Sequence, residues 1–167
     1  MTKIPLPRHS EGVGGQLEWI PEPSPSRWDA DKKRIVGAEV PHAFDSRYAS
    51  LQEGDIVPGR WFRVESIEGV VGYGWMDVNW GDAEILLATA PQSRGRGVGT
   101  FILEQLRSEA CSRGLRYVTN VVQPTHPDAS RVSAWLEKRG FRSGEDGRYF
   151  RAASRPSVVP PPSEEAP

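Results

Sequence analysis

The sequence has little cysteine and no long apolar run. Its single cysteine, Cys111, excludes an intrachain disulfide framework. No stretch approaches the roughly 20 consecutive apolar residues that a membrane helix needs. The first residues also lack the apolar segment of a signal peptide. We therefore expect a cytoplasmic protein that does not enter a membrane.

The sequence also has no large excess of one charge and no cluster of histidines. The chain has 21 basic and 22 acidic residues and a net charge of -1, so no overall field favours nucleic acid. The histidines His9, His42 and His126 lie far apart, and their spacing does not fit a metal site. Cys111 has no legible neighbouring base, which predicts a buried structural thiol rather than a nucleophile.

Residue 61 marks the start of the clearest secondary-structure pattern. It predicts the order β-β-β-α-β-α-β, with hairpin turns at Glu68-Gly69 and between Asn79 and Asp82. The predicted elements cover 61–67, 70–78, 83–90, 98–113, 115–122, a helix between Asp128 and Gly140, and 148–151. The fourth strand follows a helix, so we expect it to lie parallel to the third.

The ends of the chain carry weaker patterns. A strand is predicted at 16–20, followed by a helix that Asp29 caps and by a second short helix at 43–51. Residues 152–167 are rich in Pro, Ser and Glu and are predicted to form a disordered tail.

The most informative segment is a glycine-rich loop between the third predicted strand and the helix at 98–113. Gly95, Gly97 and Gly99 let backbone N–H groups turn inward without a Cβ clash. The helix N-terminus adds unpaired N–H donors and partial positive charge. Arg94 and Arg96 add side chains that pair well with phosphate. The loop therefore predicts a phosphate-binding cradle.

Other uses of such a loop fit this sequence less well. A tight strand-to-helix turn stays an alternative on local sequence alone. No Gly-Lys-Ser/Thr follows the loop, which disfavours a Walker P-loop. A dinucleotide fingerprint would need glycine where Thr100 stands, and the loop follows an antiparallel run rather than the first strand of a βαβαβ unit.

Four segments, taken in order, resemble the GCN5-related N-acetyltransferase (GNAT) family. Arg94-x-x-Gly97-x-Gly99 resembles its motif A, whose pattern is Arg/Gln-x-x-Gly-x-Gly/Ala. The segments at 69–75, 87–91 and 134–141 resemble its third strand, the end of the strand before motif A, and its late helix ending in Gly-Phe. The combined order is more specific than any single piece.

The resemblance implies an α/β (α+β) fold in which helices flank a central mixed, mostly antiparallel sheet with splayed strands four and five. It implies a single domain over residues 1–151, best matched at 61–151. The family's cosubstrate is acetyl-coenzyme A (acetyl-CoA), with its pyrophosphate on the motif A amides and its pantetheine arm along the preceding strand. The residues implied in binding are Leu87, Ala88, Thr89, Arg94, Gly95, Arg96, Gly97, Val98, Gly99 and Thr100.

Catalysis in this family is direct attack by an amine on the thioester, and the amine must first lose a proton. Glu84 resembles the position of a glutamate base in several members, acting through a water; a surface glutamate is the alternative. Asp77 and Asp82 are weaker candidates. A backbone N–H near Thr89 would stabilise the oxygen that gains negative charge.

The family's usual general acid is missing. Its tyrosine stands four residues before the Gly of Gly-Phe, where this sequence has Leu136, and Ala129 replaces its asparagine at the helix start. The resemblance leaves two options: Tyr149 or Tyr117 donates the proton, or the thiolate leaves without help.

The predicted function is N-acetyl transfer to a primary amine of a small molecule, peptide or protein. A non-catalytic acetyl-CoA-binding sensor or subunit, and transfer of another acyl group, stay open. Trp61, Trp75 and Trp80 are predicted as core residues, with an acceptor pocket as the alternative. We expect no nucleic-acid or membrane partner, and a homodimer stays open.

Overall fold

A computed structural model describes residues 16–37 and 46–154 of the chain. Within them the strands are β1 (Glu18–Pro21), β2 (Ser26–Arg27), β3 (Ile56–Val57), β4 (Arg60–Ser66), β5 (Gly69–Asn79), β6 (Asp82–Thr89), β7 (Tyr117–Val121), β8 (Arg142–Ser143) and β9 (Arg148–Ala152). The α-helices are α1 (Ala30–Ile35), α2 (Val98–Ser112) and α3 (Ala129–Lys138). Short 3-10 helices cover Ser46–Ser50, Pro91–Ser93 and Glu145–Gly147.

Seven of these strands form one sheet in the order β1-β4-β5-β6-β7-β9-β8, and β2 pairs separately with β3. Neighbouring strands of the large sheet are antiparallel except β6 and β7, which are parallel. The predicted mixed, mostly antiparallel sheet is confirmed, and so is the parallel fourth strand of the 61–151 region. None of the described helices has the length and apolar character needed to cross a membrane.

Helix α2 packs on one face of the sheet through an i, i+4 row of side chains. Val98, Ile102, Leu106 and Ala110 are all buried, as the sequence predicted. Cys111 is exposed, so the prediction of a buried thiol is wrong. Each helical residue turns by about 100°, so the residue after Ala110 points away from the buried row.

Both predicted hairpins form. The first has a two-residue turn, Ile67-Glu68, and Gly69 opens β5 with a φ of 104°. The second turn is Trp80-Gly81, with φ values of 52° and 84°, the left-handed pair that a two-residue hairpin favours. Trp80 is 93% exposed, so the prediction that it belongs to the core is wrong.

The sheet separates two hydrophobic clusters. The first contains the α2 row and side chains such as Phe62, Met76 and Ile85, with Leu136 from α3. The second lies on the opposite face, because Trp61 and Tyr73 alternate with Phe62 and Met76 along their strands. Trp61 is buried there and Trp75 packs against the cluster, which confirms the core prediction for these two residues.

A fully buried lysine joins α1 to the second cluster. Lys32 Nζ lies 2.6 and 2.8 Å from the two carboxylate oxygens of Glu22 and 3.1 Å from Asp29 Oδ2. The same nitrogen is 5.5 Å from the Trp61 ring centroid and 5.1 Å from that of Tyr73. Burial raises the pKa of the Tyr73 phenol far above its usual range, and the Asp29 and Glu22 carboxylates raise it further.

Two predicted boundaries need correction. The helix expected at 43–51 is the 3-10 helix Ser46–Ser50 in its described part, and residues 43–45 lie outside the described residues. Strand β9 continues to Ala152, so the strand predicted at 148–151 ends one residue later, and Ala153 beyond it is buried. The rest of the tail, 155–167, lies outside the described residues. The Asp29 cap is confirmed, since its Oδ1 accepts a 2.8 Å hydrogen bond from Lys32 N.

Candidate active site

The site begins where β6 and β7 separate. These two strands pair only at Ala83–Val118 and Glu84–Thr119. Just beyond the second pair, Asn120 Nδ2 donates a 2.8 Å hydrogen bond to the Ile85 carbonyl oxygen. The fourth and fifth strands of the sheet therefore splay from this apex toward their carboxyl ends, as predicted.

The splay exposes one set of backbone groups on β6. Ala90 N donates to Val71 O on the β5 side, and the hydrogen-bonding direction alternates along an antiparallel strand. Leu87 and Thr89 consequently direct their N–H and C=O groups toward the gap. Ala88 directs its own toward β5 and buries its side chain in the second cluster. Its predicted place in the cofactor site is therefore not supported by its orientation.

The gap opens into a cavity of about 510 Å³. Its wall on one side is β6 and the glycine-rich loop, and on the other side β7 and α3. Eight of the ten predicted binding residues line it: Leu87, Thr89, Arg94, Gly95, Gly97, Val98, Gly99 and Thr100. Ala88 and Arg96 do not; Arg96 Nη1 instead lies 3.8 Å from Glu68 Oε2 at the surface.

The glycine-rich loop leaves room for a ligand. Gly95 and Gly97 have φ values of 75° and 82°, and a Cβ on either would have no described atom within 4 Å. Gly97 is also the N-cap of α2, whose first N–H groups are directed at the loop. Ser93 on the cavity wall is 3% exposed, and its hydroxyl has no partner among the described residues. These features fit a polar, anionic ligand at the α2 N-terminus.

Glu84 stands at the apex of the splay. It belongs to the last pair that joins β6 to β7, and on its other side it pairs with Asp77 of β5. Its half-buried side chain lies on the face opposite α2, because it alternates in step with Ala88. Glu84 does not line the cavity itself. Leu87 is three positions further along the strand, which is about 10 Å.

The tyrosines proposed as general acids lie elsewhere. Tyr149 packs against the first hydrophobic cluster, and Tyr117 contacts the Phe150 ring edge-on; neither lines the cavity. Leu136 occupies the wall where the family resemblance places its tyrosine, and it is buried. The geometry therefore does not favour Tyr149 as the replacement acid, and that role stays a prediction.

Sequence reasoning missed several cavity residues. Asn120 closes the apex, Ser93 leaves its hydroxyl unpaired, and Trp135 and Arg139 of the α3 end form part of the wall. His126 lines the cavity as well, and its Nδ1 accepts a 2.9 Å hydrogen bond from Asp128 N. Trp135 and Arg139 reach the cavity because α3 forms part of its wall, and the sequence does not show that placement.

The chain matches a family model described as an acetyltransferase (GNAT) domain over residues 58–143. This match covers just over half of the 167 residues. Together with the splayed sheet and the glycine-rich loop at α2, it shows that the chain belongs to the GNAT family. No curated protein matched the chain.

Solved structures share the fold at low sequence identity. The Escherichia coli protein YhhK, bound to coenzyme A, is 18% identical; the match covers 81% of this chain and 98% of that one, with a TM-score of 0.55. The E. coli ribosomal-protein-S18-alanine N-acetyltransferase is 17% identical over 86% of this chain and 97% of its own, with a TM-score of 0.54. A GNAT-family protein from Desulfovibrio desulfuricans is 15% identical over 57% and 71%, with a TM-score of 0.52.

Family membership defines the general activity. The chain carries an acetyltransferase domain of the GNAT family, whose cosubstrate is acetyl-CoA and whose acceptors are generally amines. The particular amine and the residues that act on it are matters for proposal.

Proposed function

We propose that the protein transfers the acetyl group of acetyl-CoA to a primary amine of a small molecule, peptide or protein by direct attack. The observation that carries this proposal is the splay of β6 and β7. It directs backbone groups of Leu87 and Thr89 into a cavity that continues to the glycine-rich N-terminus of α2. One continuous site thus offers an edge for the pantetheine arm and a cradle for the pyrophosphate.

The cradle consists of backbone amides and fixed positive charge. The α2 N-terminus lines the cavity, and its first N–H groups have no intrahelical acceptor. Arg94 lines the same wall. The α2 N-terminus carries a partial positive charge that favours phosphate. Bound acetyl-CoA supplies a thioester whose carbonyl carbon is the electrophile.

Glu84 is the proposed general base. It stands at the closed end of the splay, on the sheet face opposite α2, where an acceptor amine can approach. Because Glu84 does not line the cavity that would hold the thioester, a water would carry the proton from the amine to its carboxylate. The inward N–H of Leu87 or Thr89 would stabilise the carbonyl oxygen as it gains charge.

The simplest test is a thermal shift of the purified protein with acetyl-CoA, coenzyme A, NAD and ATP. A ligand at about a hundred times its dissociation constant should stabilise the folded state by about 2.7 kcal/mol. For a domain of this size that raises the midpoint by several degrees. A shift with NAD or ATP but not with coenzyme A would contradict the proposed cofactor site.

Substitution of Gly97 with alanine should weaken coenzyme A binding by about tenfold or more. The new methyl group would enter the space where the amides approach the ligand, and the left-handed φ adds about 1–2 kcal/mol of strain. Gly114→Ala is a matched control, because Gly114 has a φ of 71°, has open space around it and lies outside the cavity. Calorimetric titration should give Gly114→Ala the wild-type affinity at a similar loss of stability. Equal affinities of both variants would place the ligand elsewhere.

A second candidate function is binding of acetyl-CoA without turnover, as in a sensor or a subunit. It is favoured by Leu136, which puts an apolar side chain where the family resemblance expects an acid. Among the described residues, no tyrosine lines this cavity. A panel of amines and acyl-CoA donors separates the candidates. Turnover with any amine supports transfer, and turnover only with longer acyl groups supports a different donor.

A further inference from the structure

Arg139, the C-cap residue of α3, is held against the first turn of α2. Its Nε and Nη2 donate to Thr100 Oγ1 at 3.2 and 2.9 Å, and its Nη1 donates to the Trp135 carbonyl oxygen at 3.1 Å. The guanidinium carbon lies 3.9 Å from the centroid of the Trp135 ring, so the cation stacks on the indole. Four contacts from two helices therefore fix one orientation of this side chain.

The charge of Arg139 is not neutralised by a carboxylate within the described residues. Other arginines, such as Arg151 and Arg107, pair with Glu104. Arg139 has no such ion pair in the part of the chain that the structure describes. A guanidinium has five N–H donors, and three are used by Thr100 and Trp135. One N–H on each of Nη1 and Nη2 is left for another acceptor.

The surroundings of this cation suit an anion. Arg139, Thr100 and Gly99 all line the large cavity at the N-terminal end of α2. The Trp135 ring closes this corner, since its Cζ2 lies 3.5 Å from the position that a Cβ on Gly99 would take. A pre-positioned guanidinium beside a helix N-terminus offers two charge-assisted donors to phosphate oxygens.

We propose that Arg139 binds a phosphate group of coenzyme A and that Thr100 and Trp135 are the residues that position it. This proposal rests on the proposed cofactor site and adds to it a residue from α3. Thr100 then acts through its hydroxyl as the acceptor that orients Arg139, in addition to offering its own backbone N–H. The phosphate groups of the cofactor would then bind groups on both sides of the cavity, the α2 amides on one side and the Arg139 guanidinium on the other.

The test measures coenzyme A affinity of Arg139→Met by calorimetric titration. Loss of charge-assisted hydrogen bonds should raise the dissociation constant about tenfold to a hundredfold. The unbranched methionine still covers the Trp135 ring, so the melting temperature of the free protein should change little. Arg142→Met removes the same charge from an exposed position outside the cavity and should bind as the wild type does.

A second ligand identifies the phosphate. If Arg139→Met loses the same factor with dephospho-coenzyme A, Arg139 binds the pyrophosphate; if that loss disappears, it binds the 3′-phosphate. Wild-type affinity in Arg139→Met, or an equal loss in Arg142→Met, overturns the proposal while the cofactor site stands. Failure of the wild-type protein to bind coenzyme A would instead overturn the proposed function itself.

Discussion

Glu84→Gln should lower the turnover number at neutral pH by about a hundredfold or more, with coenzyme A affinity unchanged. Glutamine has the same shape but cannot accept the proton that an alkylammonium must lose. Glu84 lies outside the cofactor cavity, so its loss should not disturb cofactor binding. The measurement is turnover against pH, using an amine found in the acceptor panel, together with a calorimetric titration of coenzyme A.

The dependence of turnover on pH tests the general-base role of Glu84 most directly. Without a base the enzyme depends on neutral amine from solution, whose fraction rises about tenfold per pH unit below an amine pKa of about 10. The Glu84→Gln rate should therefore recover toward the wild-type rate as pH rises. Asp77→Asn is the matched control, because Asp77 is the carboxylate of β5 that pairs with Glu84. A large loss in Asp77→Asn with normal turnover in Glu84→Gln would assign the base to Asp77.

Lys32→Met should destabilise the protein by about 3–5 kcal/mol, because it leaves the buried Glu22 carboxylate without its partner. The Glu22 side chain is only 7% exposed and both its oxygens contact the Lys32 ammonium. The substitution also removes the cation from beside the Trp61 and Tyr73 rings. For a chain of this length, the melting midpoint should fall by about 10 °C, as measured by calorimetry or by circular dichroism.

Two further variants define the origin of that loss. Lys33→Met changes the adjacent, exposed lysine and should alter stability by less than about 0.5 kcal/mol. Lys32→Met combined with Glu22→Gln removes both charges and should recover part of the stability, since the unpaired charge is the main penalty. A double variant as unstable as the sum of its single changes would show that the two residues are not coupled.

The elements that could be predicted are those with a strong local signal. The i, i+4 row from Val98 to Ala110 and the left-handed glycines Gly97 and Gly114 define α2 and both of its ends. The right-handed crossover rule correctly places β7 parallel to β6. The glycine-rich loop lies between these elements, so its position at the cavity also followed from the sequence.

Side-chain orientation and long-range contacts could not be predicted in the same way. Ala88 and Thr89 are adjacent, and only the pairing of β6 with β5 decides which one faces the gap. Arg139 and Thr100 are 39 residues apart, and their contact depends on how α3 packs beside α2. Tyr149 has a suitable hydroxyl, but the register of β9 with β7 directs it into the first cluster.

The short pairing of β6 with β7 has a mechanical consequence. This pairing joins the four strands β1, β4, β5 and β6 to the three strands β7, β9 and β8. It consists of two residue pairs and the side-chain hydrogen bonds of Thr119 and Asn120. Among the pairings that join strands of four or more residues, this one has the fewest residue pairs, so it should resist shear least. A pantetheine arm that bonds to the backbone of Leu87 and Thr89 would fill the gap and connect β6 to the β7 side. Cofactor binding would then stiffen the molecule as a whole, by making two half-sheets resist deformation as one.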